Sequence, residues 1–118
     1  VIRGEGFTID EKKLDFFFGR VTSNPKNTSR SLQNLRELRK LGIEEALGGT
    51  ERLLQIFQQG LNAPQINEIT TPHGVTIVRK VEVSSGEIAG AIEISYFYQN
   101  GDFNSLPKVT TIIPKIYQ

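Results

Sequence analysis

The 118-residue chain carries 14 Lys and Arg against 13 Asp and Glu, a single histidine, and neither cysteine nor methionine. That composition excludes disulfides, thiolate metal sites and cysteine nucleophiles, and fractions of 37% apolar and 23% charged residues exclude a disordered chain. A chain of this length buries a core without metal or disulfide staples, so one domain spanning residues 1–118 is expected.

Val1 to Phe7 reads as an extended lead-in containing Gly4 and Gly6. Asp10 is placed to cap a first helix over Glu11–Phe18, with Leu14, Phe17 and Phe18 on its apolar face and Gly19 as its stop. The polar stretch Val21–Ser31, "VTSNPKNTSRS", follows, and Pro25 assigns its centre to a turn. A second helix is predicted from Thr28 or Ser29 to Lys40, with Leu32, Leu35 and Leu38 as its core-facing stripe. Beyond Gly48-Gly49, Thr50 is the expected N-cap of a third helix that carries Leu53, Leu54 and Phe57 and ends at Gly60.

After Pro64 the apolar period changes to two. Strands are predicted over Ile66–Thr71, Gly74–Ser84, Ile88–Gln99 and Val109–Tyr117, separated by Gly-, Pro- and Asn-containing turns. Helices followed by strands give an α+β domain, its N-terminal helices packed on one face of a mostly antiparallel C-terminal sheet. No apolar run of about 20 residues is present, so stable membrane insertion by this domain is not expected. Absence of an initiator methionine points to a segment excised from the C-terminus of a longer protein.

Charge is unevenly spread. Arg20 to Ile43 holds six cations against Glu37 alone, +5 over 24 residues, which attracts phosphate or an acidic protein, or simply solvates a helix face. Lys26 and Arg30 bracket the expected helix start. They either bind a phosphate, with Asn24, Asn27 and Ser31 orienting it and helix N–H groups assisting, or belong to an ordinary capped turn.

Arg79 shares a strand face with Val75, Ile77, Val81 and Val83, and is read as a surface arginine paired with Glu93 or as an anion binder. Tyr96 and Tyr98 serve a sheet or stack on bases. Thr110 and Thr111 are expected on opposite sheet faces, so only one faces any given cleft, where it positions a phosphate or merely favours the strand. A lone His73 excludes a two-histidine nuclease and leaves only a reserve base. No metal-ligand, phosphate-loop or dinucleotide fingerprint occurs, and no metal or cofactor is expected.

The stretches "FGRVTSNPKNTSRSLQNLRELRKLGI" and "VTTIIPKIYQ" resemble the C-terminal toxin domains of contact-dependent growth inhibition (CdiA-type) proteins and related secreted bacterial adhesins. Asn24, Pro25, Asn27, Arg30, Ser31 and Asn34 fit that family's pattern, while Lys26 stands where it has a histidine. The resemblance implies a metal-independent ribonuclease toxin acting on RNA, such as tRNA, with the compact fold of several small bacterial ribonucleases. Lys26, Arg30, Thr110, Thr111 and His73 would then serve catalysis, and Asn24, Asn27, Ser31, Asn34, Arg79, Tyr96 and Tyr98 would bind substrate. A cognate immunity protein, an intracellular activating protein and a secreted or cell-surface parent that delivers the domain to a target cytoplasm follow from the same resemblance. A nonenzymatic toxin or protein-binding module is the alternative.

Overall fold

In a computed structural model describing residues 1–118, the chain runs β1 (Ile2–Gly4), β2 (Phe7–Ile9), α1 (Glu11–Phe17) and α2 (Pro25–Lys40). A 3-10 turn over Glu45–Leu47 leads to α3 (Gly49–Gly60), then β3 (Gln65–Thr71), β4 (Gly74–Ser85), β5 (Ile88–Gln99) and β6 (Lys108–Ile116). The expected α+β order holds, with boundaries shifted for local physical reasons.

Asp10 caps α1 by accepting from the Lys12 N–H at 3.0 Å. That backbone donor favours the charged carboxylate and holds its pKa below the usual range. The α2 helix starts at Pro25, three residues before the earliest expected position, because Asn24 is extended and its Oδ1 accepts from the Asn27 N–H at 2.8 Å. A proline in the first turn sacrifices no intrahelical bond, so the residue that reads as a turn former opens the helix instead. At α3 the expected Thr50 cap is displaced to Gly48, whose φ of 82° few side-chain-bearing residues adopt.

The expected leucine stripe on α2 is also corrected. Leu38 is fully buried, but Leu32 is 37% exposed, and the other fully enclosed residue of this helix is Ser31. A strict spacing of three drifts around a helix of 3.6 residues per turn, so Leu32 leaves the face that Leu38 occupies.

Six strands, rather than the four predicted, form one sheet in the order β1-β2-β6-β5-β4-β3. The lead-in supplies the two extra strands. They pair antiparallel with each other, and β2 joins β6 in parallel through Thr8↔Lys108 and Ile9↔Val109. The remaining pairings are antiparallel.

One face of the sheet carries Val81, Val83, Ile92, Ile94, Tyr96, Val109 and Ile112 into a core shared with Leu38, Leu53, Ile56 and Phe57 from the helices. Each fully buried side chain of this size contributes about 1.5–3 kcal/mol of transfer free energy. Phe57 meets Phe7 and Phe17 edge-on, at centroid separations of 5.9 and 6.3 Å, and so ties α3 to β2 and α1. No helix is long and apolar enough to cross a membrane.

Candidate functional site

The parallel pairing of β2 covers β6 only at Lys108 and Val109, after which the chain turns into α1. From Thr110 onward β6 therefore has an open edge, where part of the main-chain hydrogen-bonding capacity meets no neighbouring strand. Pro114 is tolerated there because an edge position requires no ladder donor on its outer side.

Helices α1 and α2 stand over this edge and enclose a groove of about 660 Å³. Its walls are Lys13, Phe16 and Phe17 from α1, Asn27, Arg30, Gln33, Asn34 and Glu37 from α2, and Thr110 to Pro114 from β6. That volume suits a nucleotide-sized ligand. A shallower depression continues past Gln33, Glu37 and Pro114 to Lys40, Lys115 and Gln118.

Asn27, Arg30, Asn34 and Glu37 lie three, four and three residues apart, the spacing of a single helix face. Arg30 makes no ion pair, whereas Arg20 is held by Asp15 at 2.8 Å and by Glu45, and Arg39 approaches Glu44 at 4.0 Å. The Asp15 and Glu45 carboxylates raise the Arg20 pKa and neutralise its charge locally. One of the six cations of Arg20–Ile43 is thus neutralised, while Arg30 keeps a free guanidinium at the groove. The side chains that can bind an anion there include Arg30 as a charged fork, Asn27 and Asn34 as amides, and Thr110 and Thr111 as hydroxyls.

A register shift explains the two threonines. Thr111 pairs with Ser95 and Val109 with Tyr96, leaving Thr110 as the extra residue of a bulge. Both threonines consequently line the groove, contrary to the expectation that strict alternation sends only one to it. The Thr110 hydroxyl also lies 3.4 Å from the Ser95 carbonyl.

Several expected site residues lie elsewhere. Lys26 is exposed on the first turn of α2 and does not line the groove, and Asn24 is occupied as the N-cap. Ser31 is completely buried: its hydroxyl donates to the Phe16 carbonyl at 2.6 Å and lies 3.4 Å from the Val21 N–H, joining α1 to α2. His73 is exposed on the β3–β4 turn, with β5 and β4 between its strand and β6.

Arg79 does not pair with Glu93. Their registers place Arg79 opposite Ile94 and Glu93 opposite Lys80, so the two side chains point to different faces. Arg79 donates to the Ala63 carbonyl at 2.7 Å, while Glu93 is bound by Lys115 at 2.7 Å. Tyr96 is buried and donates to the Phe57 carbonyl at 2.6 Å, and its burial raises its pKa. Tyr98 packs edge-on against Phe103 at 5.0 Å. Neither tyrosine lines the groove.

Lys13, Phe16, Gln33 and Glu37 line the groove but were not selected from sequence. The three-four-three spacing from Asn27 is the one sequence signal that reaches Glu37, whereas nothing local points to the residues of α1. No group of three His, Cys, Asp or Glu side chains is placed to hold a metal ion.

No protein-family model matches the chain, and neither does any curated protein. Among solved structures, it is similar to a chain of the contact-dependent growth inhibition toxin–immunity protein complex from Klebsiella pneumoniae 342, with a TM-score of 0.74 and 23% identity. The similarity covers 92% of this chain and 99% of that one. The two chains share a fold. The matched segment therefore includes nearly all of the helical layer and the sheet rather than a common supersecondary fragment.

Proposed function

We propose that the chain is a contact-dependent growth inhibition toxin domain that acts as a metal-independent endoribonuclease, with tRNA among its substrates. The observation that carries this reading is the meeting of Asn27, Arg30 and Asn34 with Thr110 and Thr111 in one groove, although some 75 residues or more separate the two sets in sequence. The shared fold with a chain of a toxin–immunity complex supports the same reading.

In this mechanism the ribose 2′-hydroxyl attacks the adjacent phosphorus and the 5′-oxygen leaves. Arg30 stabilises the charge that develops on the phosphoryl oxygens, while the amides and threonine hydroxyls fix the phosphate in line. A cognate immunity protein blocks the activity, an intracellular protein of the target assists it, and a secreted or cell-surface parent carries the domain to the target cytoplasm.

The test is incubation of the purified domain with total RNA and tRNA, with and without EDTA and with bacterial extract supplied. Cleavage that survives EDTA is expected, and Arg30→Ala is expected to slow it by about 10²–10³-fold. No cleavage under any of these conditions refutes the nuclease. Growth inhibition without RNA cleavage would instead favour the nonenzymatic toxin.

A further inference from the structure

Cleavage by a 2′-hydroxyl needs a group to take a proton from the nucleophile and another to supply one to the leaving oxygen. The only histidine lies outside the groove. Of the residues that line the main chamber, Glu37 alone is a carboxylate and Lys13 alone an amine.

Their placement suits the two tasks. Glu37 follows Asn34 by three residues and Arg30 by seven on the groove-facing stripe of α2. Side chains three or four apart on a helix have Cβ atoms about 5–6 Å from each other, so a phosphate held by Arg30 and Asn34 lies within a turn of the Glu37 carboxylate. Lys13 belongs to the other helical wall, so the two groups approach the chamber from different elements. Neither side chain makes an ion pair or hydrogen bond within the protein. The charged groups facing Glu37 are Lys13 from α1, Arg30 and Lys40 from its own helix, and Lys115 from β6, the last already bound to Glu93. A carboxylate in a phosphate-binding groove weakens binding by repulsion, and no structural partner accounts for its position there.

Resting on the ribonuclease reading, we propose that Glu37 is the general base and Lys13 the general acid of RNA cleavage. Glu37 takes the proton of the 2′-hydroxyl as the 2′-oxygen forms its bond to phosphorus. The bond from phosphorus to the 5′-oxygen breaks, and that oxygen receives a proton from the Lys13 ammonium. The products are a 2′,3′-cyclic phosphate and a free 5′-hydroxyl. Exchange with water then returns a proton to Lys13 and removes one from Glu37.

The test compares wild type, Glu37→Gln, Glu37→Asp and Lys13→Ala on an RNA oligonucleotide with an ordinary 5′-oxygen or a 5′-sulfur at the scissile bond, since a thiolate leaves without protonation. Thermal melting verifies that each variant is folded. Glu37→Gln is expected to lower kcat by about 10²–10⁴-fold without raising KM and to flatten the acidic limb of the rate–pH profile, with Glu37→Asp recovering part of the rate. Lys13→Ala is expected to slow the oxygen substrate by a similar factor and to cleave the sulfur substrate near the wild-type rate. A folded Glu37→Gln variant that keeps the wild-type rate and acidic limb overturns the base, and equal slowing of both substrates by Lys13→Ala overturns the acid. Those results leave the ribonuclease reading intact, whereas wild-type protein that cleaves no RNA removes both.

Discussion

Arg30 and Ser31 are consecutive on α2, and the rotation of about 100° between successive helical residues sends their side chains into different environments. Arg30 reaches the groove over β6, while Ser31 is sealed against the end of α1. Removing the Ser31 hydroxyl deprives the Phe16 carbonyl of the shorter of its two donors and the Val21 N–H of its acceptor. Ser31→Ala is therefore expected to destabilise the fold by about 1–3 kcal/mol, measured by urea denaturation. Arg30→Ala breaks no internal bond and is expected to change stability by less than about 0.5 kcal/mol. The two substitutions together separate scaffold from chemistry inside a motif where adjacent polar residues look alike. Here the sequence is legible only in part: residue type groups Ser31 with Asn27, Arg30 and Asn34, of which the last three line the groove, because type does not reveal which way a helix is turned.

At the scale of elements, strong periodic signals gave the three helices and four long strands to within a few residues. The short strands β1 and β2 escaped because three residues carry no measurable period, and their strand state depends on partners supplied by each other and by β6. The groove was legible only in halves, since α1, α2 and β6 each supply one wall and only tertiary packing brings those walls together. The end of α3 shows how closely the layers approach. Gly60 has no side chain, and a Cβ there would overlap Tyr96 Oη and lie 2.9 Å from Ile94 Cδ1. Alanine gains about 1 kcal/mol in helix propensity, but the overpacking costs about 1–3 kcal/mol, so Gly60→Ala is expected to be net destabilising. A rise in the denaturation midpoint would contradict that balance.

For the molecule as a whole, Asp10 and Tyr96 tie stability to pH at opposite limits. Asp10 has its folded-state pKa lowered by the Lys12 N–H, so its contribution is present above the unfolded carboxyl pKa and is lost as pH falls through the folded value. Denaturation midpoints of Asp10→Asn should accordingly converge on those of wild type in acid. Tyr96 acts at the opposite limit. Its pKa is raised by burial, so its contribution is complete below the unfolded value of about 10 and declines as pH rises towards the folded one. Near-maximal loss is about 1.4 kcal/mol per pH unit, and Tyr96→Phe should remove that component of the alkaline slope.

The parallel contact of β2 with β6 joins Ile9 to Val109, residues 100 positions apart in the chain. Such a connection adds contacts of very long sequence separation, because nearly the whole chain must be gathered before β2 acquires β6 as its neighbour. Refolding is expected to be slower than that of a helical domain of similar size, and a chain that stops before Lys108 leaves β2 without the strand it joins. Because the same contact ends where the groove begins, the last pairing to become available is also the one that decides how much of β6 remains open to a ligand.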